Sequence, residues 1–191
     1  MGRLFVGLVH YPIYNKRMDV IAGAVTNFDI HDIARTCRTY DVERYYLIHP
    51  LAVQRQIIEK IVGYWQNGYG RVYNPDRSDA LDIVCYEQSI AAAAADVERL
   101  TGQKPYIVTT DARTYPNTVS YSFMRGKLEE GERPVLLLFG TGFGIEAETM
   151  KQFDYILEPV YGSGSYNHLC VRSAVAIILD RLAGEAWWTQ R

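Results

Sequence analysis

The chain has 191 residues, 48% of them hydrophobic and 22% charged, which is enough to bury a substantial core and fits one domain, residues 1–191, better than two. A formal charge of -2 with a pI near 6.1 excludes a general electrostatic nucleic-acid binder, so any nucleic acid must be held by a local patch. The three cysteines, Cys37, Cys85 and Cys170, are widely spaced and show no CxxC or HxxxH pattern; this argues against a disulfide framework or a metal site, and they read as small buried side chains.

No window approaches the roughly 18 apolar residues of a membrane span. The N-terminal MGRLFVGLVHYP, interrupted by Gly2, Arg3 and His10, lacks the apolar core of a signal peptide, and the expected address is the cytoplasm. Residues 3–10 (RLFVGLVH) read as a first strand and, beyond Pro12, residues 21–26 (IAGAVT) as a second. A helix follows over 29–40, where Ile30, Ile33, Ala34 and Cys37 share one face, Asn27 or Asp29 is available as a cap, and Asp32, Arg35 and Arg38 occupy the polar side.

RYYLIHP is a strand stopped by Pro50, residues 51–65 an amphipathic helix, and 67–77 (NGYGRVYNPDR) a loop. Residues 78–84 suggest a short helix and 85–87 a strand edge. SIAAAAADVERL, rich in the best helix former, is a helix closed by Gly102. PYIVTTDAR and PVLLLFG carry the continuous apolar runs of buried parallel strands, YILEPV is a third such run, and a helix from Asn167 closes at Gly184. This alternation predicts an α/β domain with a mostly parallel sheet flanked by helices, without internal repeat or linker.

Ligands bind at the carboxyl ends of parallel strands, and three such ends deliver small or polar loops: 109–113, 140–144 and 158–167. Gly140, Gly142 and Gly144 on one loop, with Gly162 and Gly164 opposite, allow a ligand to approach the backbone closely. GTGFGI is not a dinucleotide fingerprint, because the third glycine would fall at Ile145; nor does a Gly-Lys-Ser/Thr follow for a phosphate loop. An ordinary strand-to-helix turn is the alternative. Asn167 reads as a cap of the last helix or as a ligand contact, and His168 as a structural residue or a base. Arg113, Arg125, Lys127 and Arg133 read as solvated surface rather than as an RNA patch.

The run LLLFGTGFGI with YILEPVYGSGSYNHLCVRSAVAIILDRL is similar to the two C-terminal motifs of the SPOUT methyltransferases, and FDIHDIARTCRTY resembles their first motif, whose helix carries an Arg-Thr pair, here Arg35 and Thr36. The whole chain resembles a stand-alone bacterial branch of that superfamily described as RNA methyltransferases. The resemblance implies a C-terminal trefoil knot, a homodimer with the active site near the subunit interface, S-adenosylmethionine as cofactor and RNA as substrate, with no metal and no membrane. It implies a cofactor site formed by Gly140, Thr141, Gly142 and Gly144, by Leu157, Glu158, Asn167, His168 and Leu169, and by Thr109, Thr110 and Asp111.

Arg35 is the counterpart of the arginine that acts on the acceptor hydroxyl in ribose-methylating members, with Asn167 and His168 as further candidates; a simple ion pair between Arg35 and Asp32 is the structural alternative. The asparagine and glycine of that motif are Asp29 and His31 here, and Tyr166 to Leu169 replace the serine-leucine-asparagine wording of the third, which leaves ribose 2′-hydroxyl and nucleobase nitrogen both open as acceptors. A non-catalytic cofactor-binding module, a protein methyltransferase and a nucleotide enzyme of Rossmann type are the competing functions. Trp187 and Trp188 are too apolar for water and are expected to bury a dimer contact.

Overall fold

The computed structural model describes residues 2–185; Trp187 and Trp188, and with them their expected dimer contact, lie outside the described residues. In chain order the elements are β1 (Leu4–Val9), β2 (Ile13–Tyr14), β3 (Val20–Ile21), α1 (Asn27–Thr39), β4 (Arg44–Ile48), α2 (Ala52–Gln66), α3 (Tyr69–Tyr73), α4 (Pro75–Leu81) and β5 (Val84–Glu87). They continue with α5 (Ile90–Thr101), β6 (Tyr106–Thr110), β7 (Thr118–Val119), α6 (Tyr121–Glu130), β8 (Val135–Gly140), α7 (Ala147–Met150), β9 (Tyr155–Leu157) and α8 (Val171–Ala183).

The main sheet has seven strands in the order β5-β4-β1-β8-β6-β9-β7, every pairing parallel, and β2 with β3 forms a small antiparallel ribbon. A parallel sheet buried on both faces needs strands that are apolar throughout, as LFVGLV and VLLLF are. The period of two sorts their side chains. Val6, Leu8, Tyr45, Leu137 and Phe139 join a core under α1, α2, α4, α6 and α8, while Phe5, Val9, Tyr46, Leu136 and Leu138 join a second core under α5. Val135 to Phe139 are all essentially inaccessible, so β8 is the spine of the sheet.

Several expectations are corrected by packing. The second expected strand is reduced to Val20–Ile21, paired with β2, and residues 22–26 join no strand; Thr26 caps α1 by accepting from Asp29 N at 3.2 Å, so neither Asn27 nor Asp29 is the cap. Residues 69–73 and 75–81 are helical, not loop. Asn74 caps α4 through Arg77 N at 3.0 Å and Pro75 occupies the first helical turn, both helix-start signals, so the expected helix over 78–84 begins earlier and Val84 joins the sheet. Helix α6, capped by Ser120 and closed by left-handed Gly131, and strands β2 and β7 were not foreseen. Of the cysteines only Cys37 is fully buried; Cys85 is half-buried, and Cys170 is exposed at the start of α8. Among the described residues no helix is long and apolar enough to cross a membrane.

Candidate functional site

From β1 the chain builds outward through β4 to β5, then crosses to β6 on the far side and returns to insert β8 between β1 and β6. At such a reversal, loops leaving adjacent strand ends diverge and open a crevice at the carboxyl edge. A cavity of about 930 Å³ occupies this position. Thr110 and Asp111, Gly140 to Gly144, Glu158, and Asn167 to Leu169 all line it, so the three loops expected to converge do so. Thr109 and Leu157 do not: both side chains are fully buried in the sheet, where the Thr109 hydroxyl donates to the Leu138 carbonyl at 3.3 Å.

Each loop is fixed by side chains that span it. Asp111, its side chain only 6% exposed, accepts from Arg113 N at 2.8 Å, from the Arg113 guanidinium at 3.1 Å and from the Tyr115 hydroxyl at 3.1 Å. Asn167 is not a helix cap, since α8 begins at Val171; its amide donates to the Ala112 carbonyl at 2.9 Å and pins the last loop to the one after β6. Glu158 accepts from Tyr121 N at 3.0 Å and so anchors the start of α6. Thr141 donates to the Val9 carbonyl at 3.0 Å, tying the glycine loop to the end of β1. His168 is exposed, with its ring edge-on to Tyr166 at 5.7 Å.

The glycines are not equivalent. Gly142 has φ +60°, and a Cβ there would lie 2.8 Å from the Tyr14 carbonyl oxygen; at Gly140 it would lie 2.9 Å from Ile145. Gly144 has φ +102°. At Gly162 and Gly164 a Cβ would meet nothing within 4 Å, so those two are not required by packing. The Tyr14 contact exists because β2 lies along the glycine loop: Phe143 N donates to Tyr14 O at 3.0 Å and Tyr14 N to Gly144 O at 2.9 Å.

The loop after β1 forms a wall that the glycine signal alone does not reveal. His10, Ile13, Gly23, Ala24, Thr26 and Asp29 line the cavity beside the glycine loop. His10 is 1% exposed, and among the described residues neither ring nitrogen has a hydrogen-bond partner. Burial, aided by neighbouring His49, pushes its pKa down to about 4, so the ring is neutral at pH 7, with one nitrogen an acceptor and the other a donor. His49 differs in being satisfied: Leu51 N donates to its Nδ1 at 3.1 Å, which leaves Nε2 to donate to the Gly23 carbonyl at 2.9 Å. His10 follows directly on β1, so the strand-end rule applied to RLFVGLVH points to it.

Arg35 does not line the cavity. It lies on the exposed side of α1 and forms no ion pair among the described residues; Asp32 pairs instead with Arg172 of α8 at 3.2 Å. Arg172 also approaches Asp29 at 4.0 Å and covers the Phe28 ring at 5.3 Å, fastening α8 to α1 beside the cavity mouth. Arg113 and Arg133 are structural: Arg133 donates to the carbonyls of Lys104 and Pro105, both at 2.9 Å. Arg125 likewise donates to the carbonyls of Arg181 and Gly184, while Lys127 pairs with Glu130. Among the described residues no cluster of histidine, cysteine and acidic groups is placed to hold a metal.

The cavity suits S-adenosylmethionine: Asp111, Glu158 and the Gly140–Gly144 loop line it with polar groups, apolar Ile13, Phe139 and Ile178 line it with hydrocarbon, and the neutral His10 ring adds a donor and an acceptor. The chain is 45% identical over 179 residues to an uncharacterized protein of Aquifex aeolicus, covering 94% of this chain and 87% of that one. It is 43% identical to a tRNA (guanine-N(1)-)-methyltransferase of Nitratidesulfovibrio vulgaris, covering 96% of this chain but only 43% of that longer protein. The SpoU methyltransferase AviRb of Streptomyces viridochromogenes, solved with AdoMet, superposes with a TM-score of 0.57 at 17% identity over 96% of this chain and 58% of that one, a likeness of fold. A family profile described as SAM-dependent RNA methyltransferase matches residues 3–184, nearly the whole described length, and the chain belongs to that family.

Proposed function

We propose that the cavity binds S-adenosylmethionine through Thr110, Asp111, Gly140, Thr141, Gly142, Gly144, Glu158, Asn167, His168 and Leu169, and that an RNA base enters beside α1 to receive the methyl group on a ring nitrogen. The convergence of all three expected loops on one cavity carries this reading. Thr109 and Leu157 support the site from behind, as the residues on which its walls rest. The bound sulfonium supplies an already activated methyl group, so the protein's task is alignment and control of the acceptor's proton.

Asp29 suits a ring nitrogen. It lines the cavity with its side chain 12% exposed, held by the Thr26 hydroxyl at 2.6 Å. A carboxylate there accepts a hydrogen bond from an acceptor N–H and takes its proton as the new N–C bond forms. His10 offers a neutral donor and acceptor at the cavity floor. Arg35, outside the cavity, stabilises charge on the RNA rather than touching the cofactor. The exposed Phe28, Tyr161, Tyr166 and Leu169 around the mouth fit a homodimer closed over the site, across which Arg35 reaches its partner's RNA. The trefoil knot belongs with this arrangement, the loop over 158–170 being the threaded segment. A single domain acting in the cytoplasm on tRNA, the substrate named for the longer N. vulgaris relative, completes the proposal.

Incubation with methyl-labelled S-adenosylmethionine and undermodified bacterial tRNA tests it, with nucleoside analysis of the product. The expected result is label in a base of tRNA, abolished by Asp29→Asn and reduced at least tenfold in Arg35→Ala while calorimetric cofactor affinity is kept. Label in ribose refutes the acceptor, and label in protein alone refutes RNA.

A further inference from the structure

His10, Gly23 and Thr141 meet where the segment after β1 runs beside the glycine loop, and all three line the cavity. The His10 imidazole is almost wholly buried, and among the described residues neither of its nitrogens has a hydrogen-bond partner. A buried polar group without a partner is costly, and native proteins keep one where something beyond the chain completes it. The surroundings hold the ring in place. Gly23 N donates to the His10 carbonyl at 2.8 Å, and His49 Nε2 donates to the Gly23 carbonyl at 2.9 Å. His49, its ring 6.1 Å from that of His10, is thus spent on the main chain. A Cβ at Gly23 would lie 3.7 Å from His10 Nδ1, 3.5 Å from Thr141 Oγ1 and 3.0 Å from Ile13 Cδ1, so a side chain there would stand against both polar atoms. Glycine leaves that approach to a ligand.

The polar atoms on this wall are one-sided in what they offer. The Thr141 hydroxyl gives its hydrogen to the Val9 carbonyl at 3.0 Å, so Oγ1 can otherwise only accept. Burial keeps the His10 ring neutral at pH 7, and with its hydrogen on Nε2 it accepts at Nδ1. Farther along the same segment the Thr26 hydroxyl donates to Asp29 at 2.6 Å, and the Asp29 carboxylate is itself an acceptor. The wall therefore asks for a ligand edge that presents N–H donors.

We propose that His10 Nδ1 and Thr141 Oγ1, approached over Gly23, take the exocyclic amino group of the acceptor base, and so restrict methylation to a base that carries one beside the ring nitrogen facing Asp29. This assignment of specificity rests on the proposed reading of the cavity, in which an RNA base is the acceptor. In that reading the loops after β6, β8 and β9 serve the cofactor. The segment after β1, which continues through Ala24 and Thr26 into Asp29, is the wall left to the second reactant. Thr141 belongs to both, since its main chain is part of the glycine loop while its hydroxyl turns to the end of β1. An amino group suits the pair because it has a hydrogen for each acceptor. A carbonyl meets only lone pairs there, and a hydroxyl has one hydrogen for two acceptors. Uracil, with a carbonyl on each side of its ring N–H, is therefore rejected by leaving the buried ring unpaired.

The test uses the full chain, methyl-labelled S-adenosylmethionine and tRNA transcripts. Nucleoside analysis first identifies the labelled base. A second transcript then carries at that position the analogue without the amino group: inosine for guanosine, purine riboside for adenosine or 2-pyrimidinone riboside for cytidine. Wild-type kcat/KM is expected to fall by about tenfold or more on the analogue. In His10→Phe the normal transcript should fall to a similar level and the analogue should cost nothing further. His10→Asn, which keeps an acceptor, should retain part of the discrimination, and both variants should keep wild-type calorimetric affinity for S-adenosylmethionine. Equal turnover of the analogue by the wild type, the result expected if a structural water satisfies the ring, overturns the proposal whether or not the variants fold. Label in uracil overturns it too, as does discrimination that survives intact in His10→Phe. Lost cofactor affinity in His10→Phe with that discrimination unchanged would assign the ring to the cofactor instead. Label in ribose, or in no RNA fraction, removes the reading on which the proposal rests.

Discussion

Gly142→Ala isolates the part of the glycine loop that the backbone demands. At φ +60° an alanine costs roughly 1–2 kcal/mol relative to the right-handed region, offset by about 0.4–1 kcal/mol of lost freedom in the unfolded chain. The new Cβ would also lie 2.8 Å from the Tyr14 carbonyl oxygen and 3.0 Å from Ile13 Cδ1. That oxygen is the acceptor for Phe143 N at 3.0 Å, so the loop can relieve the contact only by lengthening a hydrogen bond worth about 1 kcal/mol. The net loss is about 2 kcal/mol, or about 4–8 °C in Tm for a chain of this size. Because β2 and the glycine loop shift together, S-adenosylmethionine affinity should fall by more than the stability loss alone explains, at least tenfold by calorimetry. Gly162→Ala, at a site where a Cβ meets nothing within 4 Å, should be neutral in both assays. Wild-type melting and affinity in Gly142→Ala, or an equal loss in Gly162→Ala, would refute the argument.

His10 gives a pH signature. Its folded pKa of about 4 lies below the ordinary 6.5, so the unfolded chain binds the extra proton between those values; the neutral ring's contribution is whole above pH 6.5 and drains as pH falls toward 4, by at most about 3 kcal/mol. His10→Leu should flatten the denaturant-derived stability profile in that window, and a slope equal to wild type would contradict the burial argument. Leu137→Ala, in the fully buried spine strand, should cost about 2–5 kcal/mol in urea unfolding. A loss under 1 kcal/mol would show that β8 tolerates a cavity. Thr26→Ala removes the cap of α1 and should cost about 1 kcal/mol; because Thr26 also holds Asp29, turnover should fall more than thermal stability does.

What could be read from the residues follows from how locally each element is determined. PVLLLF announces itself because a strand covered on both faces must be apolar at every position, whereas the half-buried PYIVTT is marked by its β-branched and aromatic residues. The stretch 67–77 misleads because Gly68, Gly70, Asn74 and Pro75 resemble a loop. Gly70 is there because Trp65 approaches so closely, and Asn74 with Pro75 starts a helix. Asn167 had a plausible local role as a cap, but its amide is spent on Ala112, 55 residues earlier, a partner no local rule supplies. Asp32 was likewise matched by spacing to Arg35, whereas the fold brings Arg172 to it from 140 residues away.

The same logic explains why half of the site was visible and half hidden. The glycine loop is conspicuous in the sequence because its backbone conformation must be encoded locally, at Gly142 and Gly144. The adjoining wall consists of ordinary residues, His10, Ile13 and Gly23, which become a wall only because β8 inserts next to β1 and brings their loop alongside. Once there, β2 pairs with the glycine loop, the Thr141 hydroxyl holds the end of β1, and Gly23 N donates to the His10 carbonyl at 2.8 Å. The glycine loop therefore cannot move without moving the residues that line the cavity beside it. On the proposed function, that coupling would link binding of the methyl donor to the shape of the place where RNA presents its acceptor, and the ring of His10, with no partner among the described residues, lies at the seam between the two.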